Sequence, residues 1–222
     1  MNIQNIFFAL PGIIIGLTVH EYCHAMAAHK LGDNTARDQG RLTFNPLKHL
    51  DPLGTAFIIF AGFGWAKPVQ FNPENLAHLR RDKAIIAAAG PLSNLLLALF
   101  FIALVRLWFW QIQSASHAGD MAAVSFLSSE NFLLAVNVIL RAAAINLGLF
   151  VFNLFPIPPL DGSHIVFSGL NLSMELQQRI MKLAMPLLFV IIIVQNQTNL
   201  TILPIGALVS GILRFFLPQL AI

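Results

Sequence analysis

Two histidines one helical turn apart enclose a glutamate in His20-Glu21-Tyr22-Cys23-His24. Residues i and i+4 of a helix share a face, so both imidazoles can bind one metal ion, as two ligands of a tetrahedral zinc must. Glu21 stands beside the first of them, where its carboxylate can reach a water activated by the metal. The string lies within an apolar run, and ionisable groups there are costly and mark a functional site. A hydrogen-bonded pair of core histidines with a buried glutamate is the bland alternative. With 7 histidines in the chain, H-E-x-x-H arises by chance in on the order of half a percent of shuffles, which favours the metal.

Two histidines do not complete a zinc site. Asp161, in Pro158-Pro159-Leu160-Asp161-Gly162, is the best candidate for a third ligand. The prolines stop a helix while the chain is still near the bilayer, and Gly162 lets the backbone turn sharply. A carboxylate there can point back among the helices. A plain turn aspartate is the commonest role of Asp-Gly, and without the histidine motif it would be preferred.

These residues need a scaffold, and composition says which kind. The 222 residues are 57% hydrophobic and only 10% charged, with mean hydropathy +0.73. Soluble domains run near 25% charged. An ordinary soluble domain and a disordered chain are both excluded. The expected architecture is an all-α polytopic membrane protein, one domain over residues 1–222, with about five transmembrane helices. Net charge +3 and a pI of 9.4 do not mean nucleic acid, because no basic stripe interleaved with aromatics occurs. Cys23, the single cysteine, cannot form an internal disulfide.

The first apolar run covers Ile6 to Val19 and continues to Ala28. It lacks a basic leader and a cleavage site, so it reads as a retained helix, bent at Pro11-Gly12. Asp51 to Gly64 is too short to span and is closed by Gly62 and Gly64. It is expected to form a re-entrant or β-like segment around residues 51–72. Ala84–Trp110 is a span ending in an aromatic belt, Trp108-Phe109-Trp110. Phe132–Phe155 is another, ended by Pro156-Ile157-Pro158-Pro159. Leu183–Val194, extended back to Ile180, and Ile202–Leu217 are two more, joined tightly through Gln195–Asn199. The segments Lys30–Lys48 and Lys67–Lys83 carry four basic residues each, and Gln111–Asn131 carries none. The positive-inside rule therefore places both basic segments in the cytoplasm and the N-terminus outside.

The chain resembles the site-2 proteases, which are intramembrane zinc metalloproteases. The resemblance rests on His20–His24, on Asn153-Leu154-Phe155-Pro156 through Asp161-Gly162, and on Ala89-Gly90-Pro91-Leu92-Ser93-Asn94. Gly64-Trp65-Ala66-Lys67-Pro68-Val69 followed by Asn72-Pro73 is similar to the compact bacterial branch, and implies a bacterial inner membrane. The catalytic core it covers runs from about residue 6 to 162; two further spans, about 180–218, receive no chemistry. No PDZ or CBS domain is expected within these 222 residues. The resemblance implies His20, His24 and Asp161 as ligands of one zinc per chain and Glu21 as catalytic base. It also implies that Asn94 and Asn153 lie near the metal and hold substrate backbone, Asn153 beside the developing oxyanion.

The expected activity is hydrolysis of peptide bonds in or near transmembrane segments of other proteins, with an active site opening toward the cytoplasm. A substrate helix must unwind locally before cleavage, and Phe63 to Asn72, with Trp65, Lys67 and Val69, could pair with it as an added strand. The runner-up is a membrane metal transporter or metal sensor, which should spread ligands along a path through the bilayer; here they cluster at one depth. His164 is a candidate partner beside the ligands. His29, His49, His78 and His117 read as solvated, Arg106 and Arg141 as snorkelling cations, and Cys23 as packing.

Overall fold

A computed structural model describes residues 3–61, 64–170, 172–198 and 200–220. Helix α1 (Ile3–Lys30) carries the histidine motif in its second half and ends on His29 and Lys30, cations that suit a helix C-terminus. The short α2 (Thr35–Asp38) and the apolar α3 (Pro52–Ala61) follow. Then come α4 (Leu79–His117), α5 (Met121–Leu127), α6 (Glu130–Leu154) and α7 (Asp161–Leu170). Helices α8 (Met174–Gln197) and α9 (Ile205–Phe216) close the chain. Four of these, α1, α4, α6 and α8, are long and apolar enough to cross a membrane.

Helices α1, α4 and α6 form the central trio, with α7 against α4 and α9 against α6. Lipid tails give no hydrophobic drive for helices to associate, so close backbone approach through small residues must supply the packing. Gly12 and Gly16 do this: a Cβ on Gly12 would stand 2.7 Å from the Ala142 Cα, and one on Gly16 2.8 Å from the Asn146 Oδ1. Ala98, Ile102, Val105, Ala143, Leu147, Leu213 and Leu217 form the largest buried apolar cluster, where α9 closes over α4 and α6.

The segment after α1 folds against the extended strip 64–72. Leu50 and Ala66 make an isolated antiparallel bridge, and the Lys67 N–H donates to the His49 carbonyl at 2.7 Å. At the far end Asp33 accepts from the Asn72 N–H, the Asn75 amide and Thr35. Burial works against its charge, yet these donors outweigh it and hold the carboxyl below its ordinary pKa. The segment expected to be re-entrant or β-like is thus helical over α3, about 15 Å long, and extended over 64–72. The bridge is the only ladder pairing among the described residues. Gly62 and Phe63 lie outside the described residues.

Several boundaries differ from the sequence reading. Helix α4 continues past Trp110 to His117. Polarity changes at Gln111, but no helix breaker comes before Gly119, which takes φ +70°. The expected outer loop is therefore mostly helical, and Trp108 donates its indole N–H to the Leu127 carbonyl at 3.1 Å. Helix α9 has 12 residues between Pro204 and Pro218. At about 18 Å it falls short of a full span. Gln195, read as part of a tight connection, sits inside α8 and bonds the backbone of Ile202 and Leu203; the connection runs over 198–204, with Asn199 outside the described residues. His49 is fully buried rather than solvated, bonded through Nε2 to the Thr43 carbonyl at 2.7 Å. Burial, with the Arg41 charge nearby, pushes its pKa below the ordinary value.

Candidate metal centre

Helix α1 presents His20 and His24 on one face with their Nε2 atoms 3.0 Å apart. The N-terminus of α7 brings Asp161 Oδ2 to 3.2 Å from the first and 3.3 Å from the second. Zinc bonds of about 2.0–2.2 Å at tetrahedral angles separate ligand atoms by about 3.3 Å. The three atoms therefore already lie at the corners of such a site.

The far side of each imidazole explains why. His24 Nδ1 lies 2.7 Å from the Ile86 carbonyl, which can only accept, so a neutral His24 carries its hydrogen on Nδ1. His20 Nδ1 lies 2.6 Å from Asn94 Oδ1. Both Nε2 lone pairs are then aimed at the buried Asp161 Oδ2, which has no hydrogen-bond donor among the described residues. Three acceptors converging in a buried space need a cation between them. The donor set, two imidazoles and a carboxylate, is one that zinc takes.

Gly90 admits this arrangement. A Cβ there would collide with His24 Nε2 and His20 Cε1, so α4 can approach the histidines only through a residue without a side chain. Gly90→Ala is expected to lower zinc affinity by at least about tenfold, the size of losses seen when ligand orientation is disturbed. Chelator competition on the purified variant checks this; unchanged affinity would show that α4 yields without moving the ligands.

Asn94, expected to hold substrate backbone, is engaged within the helical bundle. It is fully buried, and its Nδ2 donates to the Gly16 carbonyl at 3.1 Å and to Asn146 Oδ1 at 3.0 Å. With Oδ1 on His20, the amide orients that imidazole and ties three helices together. Asn146, equally buried, continues the chain to the Ala142 carbonyl at 2.9 Å. The sequence reading passed over Asn146; its signal was an amide in an apolar span.

A cavity of about 330 Å³ opens on the centre, lined by His20, Glu21, His24, Asn153, Asp161 and His164 among others. Asn153 donates one amide hydrogen back to the Leu149 carbonyl at 3.0 Å and still borders the cavity. Trp65 and Val69 line it too; Lys67 is exposed, and its backbone rather than its side chain is what the fold holds. Glu21 is buried, its Oε2 accepting from the Val69 N–H at 2.9 Å and lying 3.9 Å from Arg41. Arg41 was also missed, because a cation in a basic segment reads as solvated. His29, His78 and His117 are not in the group of His20, His24 and Asp161, and His78 and His117 are exposed.

A membrane-spanning helical bundle with a buried, preorganised metal centre is the class that fold and site define. Residues 8–195 match the model of peptidase family M50, so the chain belongs to that family. The match reaches beyond residue 162 and takes in most of α8. YwhC of Bacillus subtilis (strain 168), named as a candidate zinc metalloprotease, is 42% identical over 155 residues, covering 69% of this chain and 65% of that protein. Rip2 of Mycolicibacterium smegmatis, named likewise, is 32% identical over 167 residues, covering 73% of this chain and 57% of its own. Rip2 of Mycobacterium tuberculosis is 32% identical over 159 residues, 69% of this chain and 53% of its own. The chain thus matches between about half and two thirds of the length of these relatives. No solved structure matches it significantly. Family and donor set together make the cofactor zinc.

Proposed function

We propose that the chain is a single-domain intramembrane zinc endopeptidase, with His20, His24 and Asp161 as ligands and Glu21 as the base. The observation that carries this reading is the convergence of three acceptor atoms within 3.0–3.3 Å in the same cavity as the Glu21 carboxylate. When bound, zinc supplies a Lewis acid that polarises a carbonyl and acidifies water. Glu21 takes the proton of the attacking water and returns it to the leaving nitrogen. The second amide hydrogen of Asn153 is available to the developing oxyanion, and His164 borders the ligands as an outer partner. Trp65 and Val69 form one wall for an unwound transmembrane segment. The transporter reading lacks a path of ligands: among the described residues one group of three metal-binding side chains occurs.

Chelation of the purified protein is expected to abolish cleavage of a single-span model substrate, and about one zinc per chain to restore it. Zinc flux into sealed vesicles without any cleavage would favour the transporter instead. The family resemblance and the distribution of charge support a bacterial inner-membrane location with the N-terminus outside and the site toward the cytoplasm. On a Cys23-free background, cysteines placed at 111–131 are expected to react with an impermeant thiol reagent from outside, and those at Asn34 or Asn75 not to. The reverse pattern would invert the topology.

A further inference from the structure

We propose that Arg41 is a positioning residue that holds the strip 64–72 against the carboxylate of Glu21. This inference rests on the endopeptidase reading above. Arg41 Nη2 donates to the Lys67 carbonyl at 2.6 Å, and Nη1 reaches the Pro68 carbonyl at 3.4 Å. These acceptors belong to consecutive residues. The planar guanidinium can span both through separate nitrogens, which the single ammonium of lysine cannot reproduce. The next residue, Val69, gives its N–H to Glu21 Oε2, and Arg41 Nη2 lies 3.9 Å from that same oxygen.

One side chain thus connects the backbone of the strip to the base. Burying a guanidinium is costly unless it is paired, and the Arg41 side chain is only 5% exposed. Its partners are two carbonyls of the strip and the charge of Glu21. Other ties on the strip, from the His49 carbonyl to Lys67 and from Asp33 to Asn72, fix its course without touching the site. Removing Arg41 would leave the Val69 end of the strip free to shift, and with it both the wall facing the substrate and the donor on Glu21.

The test uses the full chain with Arg41→Met and Arg41→Lys, assayed on a single-span model substrate and expressed per bound zinc. A misplacement of about 1 Å at a reacting geometry costs about 10²-fold, and Arg41→Met is expected to approach that loss in kcat/KM. Arg41→Lys restores a charge beside Glu21 but not the fork, so kcat should recover while KM stays raised. A second readout needs no activity. With Trp108 and Trp110 replaced by phenylalanine, Trp65 is the one tryptophan left; it packs between Phe57 and Phe189 at 5.3 and 5.9 Å. Its emission should shift to the red in Arg41→Met and return part of the way in Arg41→Lys. Unchanged kcat and KM per zinc, unchanged Trp65 emission, or identical behaviour of the two variants would each overturn the proposal. If Arg41→Met fails to fold, the kcat and KM split of Arg41→Lys decides. If wild type cleaves nothing, the endopeptidase reading fails, and Trp65 emission still decides whether Arg41 holds the strip.

Discussion

Glu21→Gln is expected to keep its zinc and lose hydrolysis by about 10²–10⁴-fold, the range that general acid–base catalysis contributes. Glutamine has nearly the shape of glutamate, and its Oε1 can still accept the Val69 N–H that Glu21 Oε2 accepts at 2.9 Å. The strip therefore stays in place and the two histidines are untouched. What glutamine cannot do is take a proton from water. Zinc content and turnover measured on one preparation separate the two effects. Wild-type turnover with full zinc would remove Glu21 from the chemistry, and loss of zinc together with activity would make it a structural partner of the centre.

Asp161→Ala tests the other half of the site. The carboxylate Oδ2 lies 3.2 and 3.3 Å from the two histidine nitrogens and, among the described residues, has no hydrogen-bond donor. Removing the carboxylate would take away both the proposed third ligand and the negative charge that would balance Zn²⁺. Disturbing an outer partner of a ligand costs about 10–100-fold in metal affinity, so losing the ligand itself should exceed about 10²-fold. Asp161 also opens α7, where Leu160 and Ser163 supply backbone and side-chain bonds that do not need its carboxylate. The apo variant should therefore unfold close to the temperature of the apo wild type. Wild-type zinc affinity in Asp161→Ala would reduce the residue to a turn aspartate and turn the search for a third ligand to His164.

The parts of this site that could be read from sequence are those fixed by local geometry. Helical spacing alone puts His20 and His24 on one face, and a proline-rich helix end followed by Asp-Gly marks where a chain can turn back into the bundle. The orientation of an amide is not local. Spacing cannot say that Asn94, expected to hold substrate backbone near the metal, bonds His20 through Oδ1 and gives its Nδ2 to Gly16 and Asn146. Basic segments misled in a similar way. Their composition reports the side of the membrane, not the burial of each member, so His49 read as solvated and Arg41 drew no notice, while the fold buries both. The four long spans were legible because hydropathy over 20 residues is a strong signal. The ends of α4 and the shortness of α9 were not, since a helix stops at glycine or proline rather than where its polarity changes.

X-ray absorption at the zinc edge of the purified wild-type protein addresses the proposed centre most directly. Two imidazole nitrogens at about 2.0–2.1 Å and carboxylate or water oxygens at about 2.0–2.2 Å are expected, in four-coordinate geometry and with one zinc per chain. A sulfur neighbour at about 2.3 Å, which in this chain could come from Cys23 beside the histidines, or a protein that binds no stoichiometric zinc, would contradict a centre built from His20, His24 and Asp161.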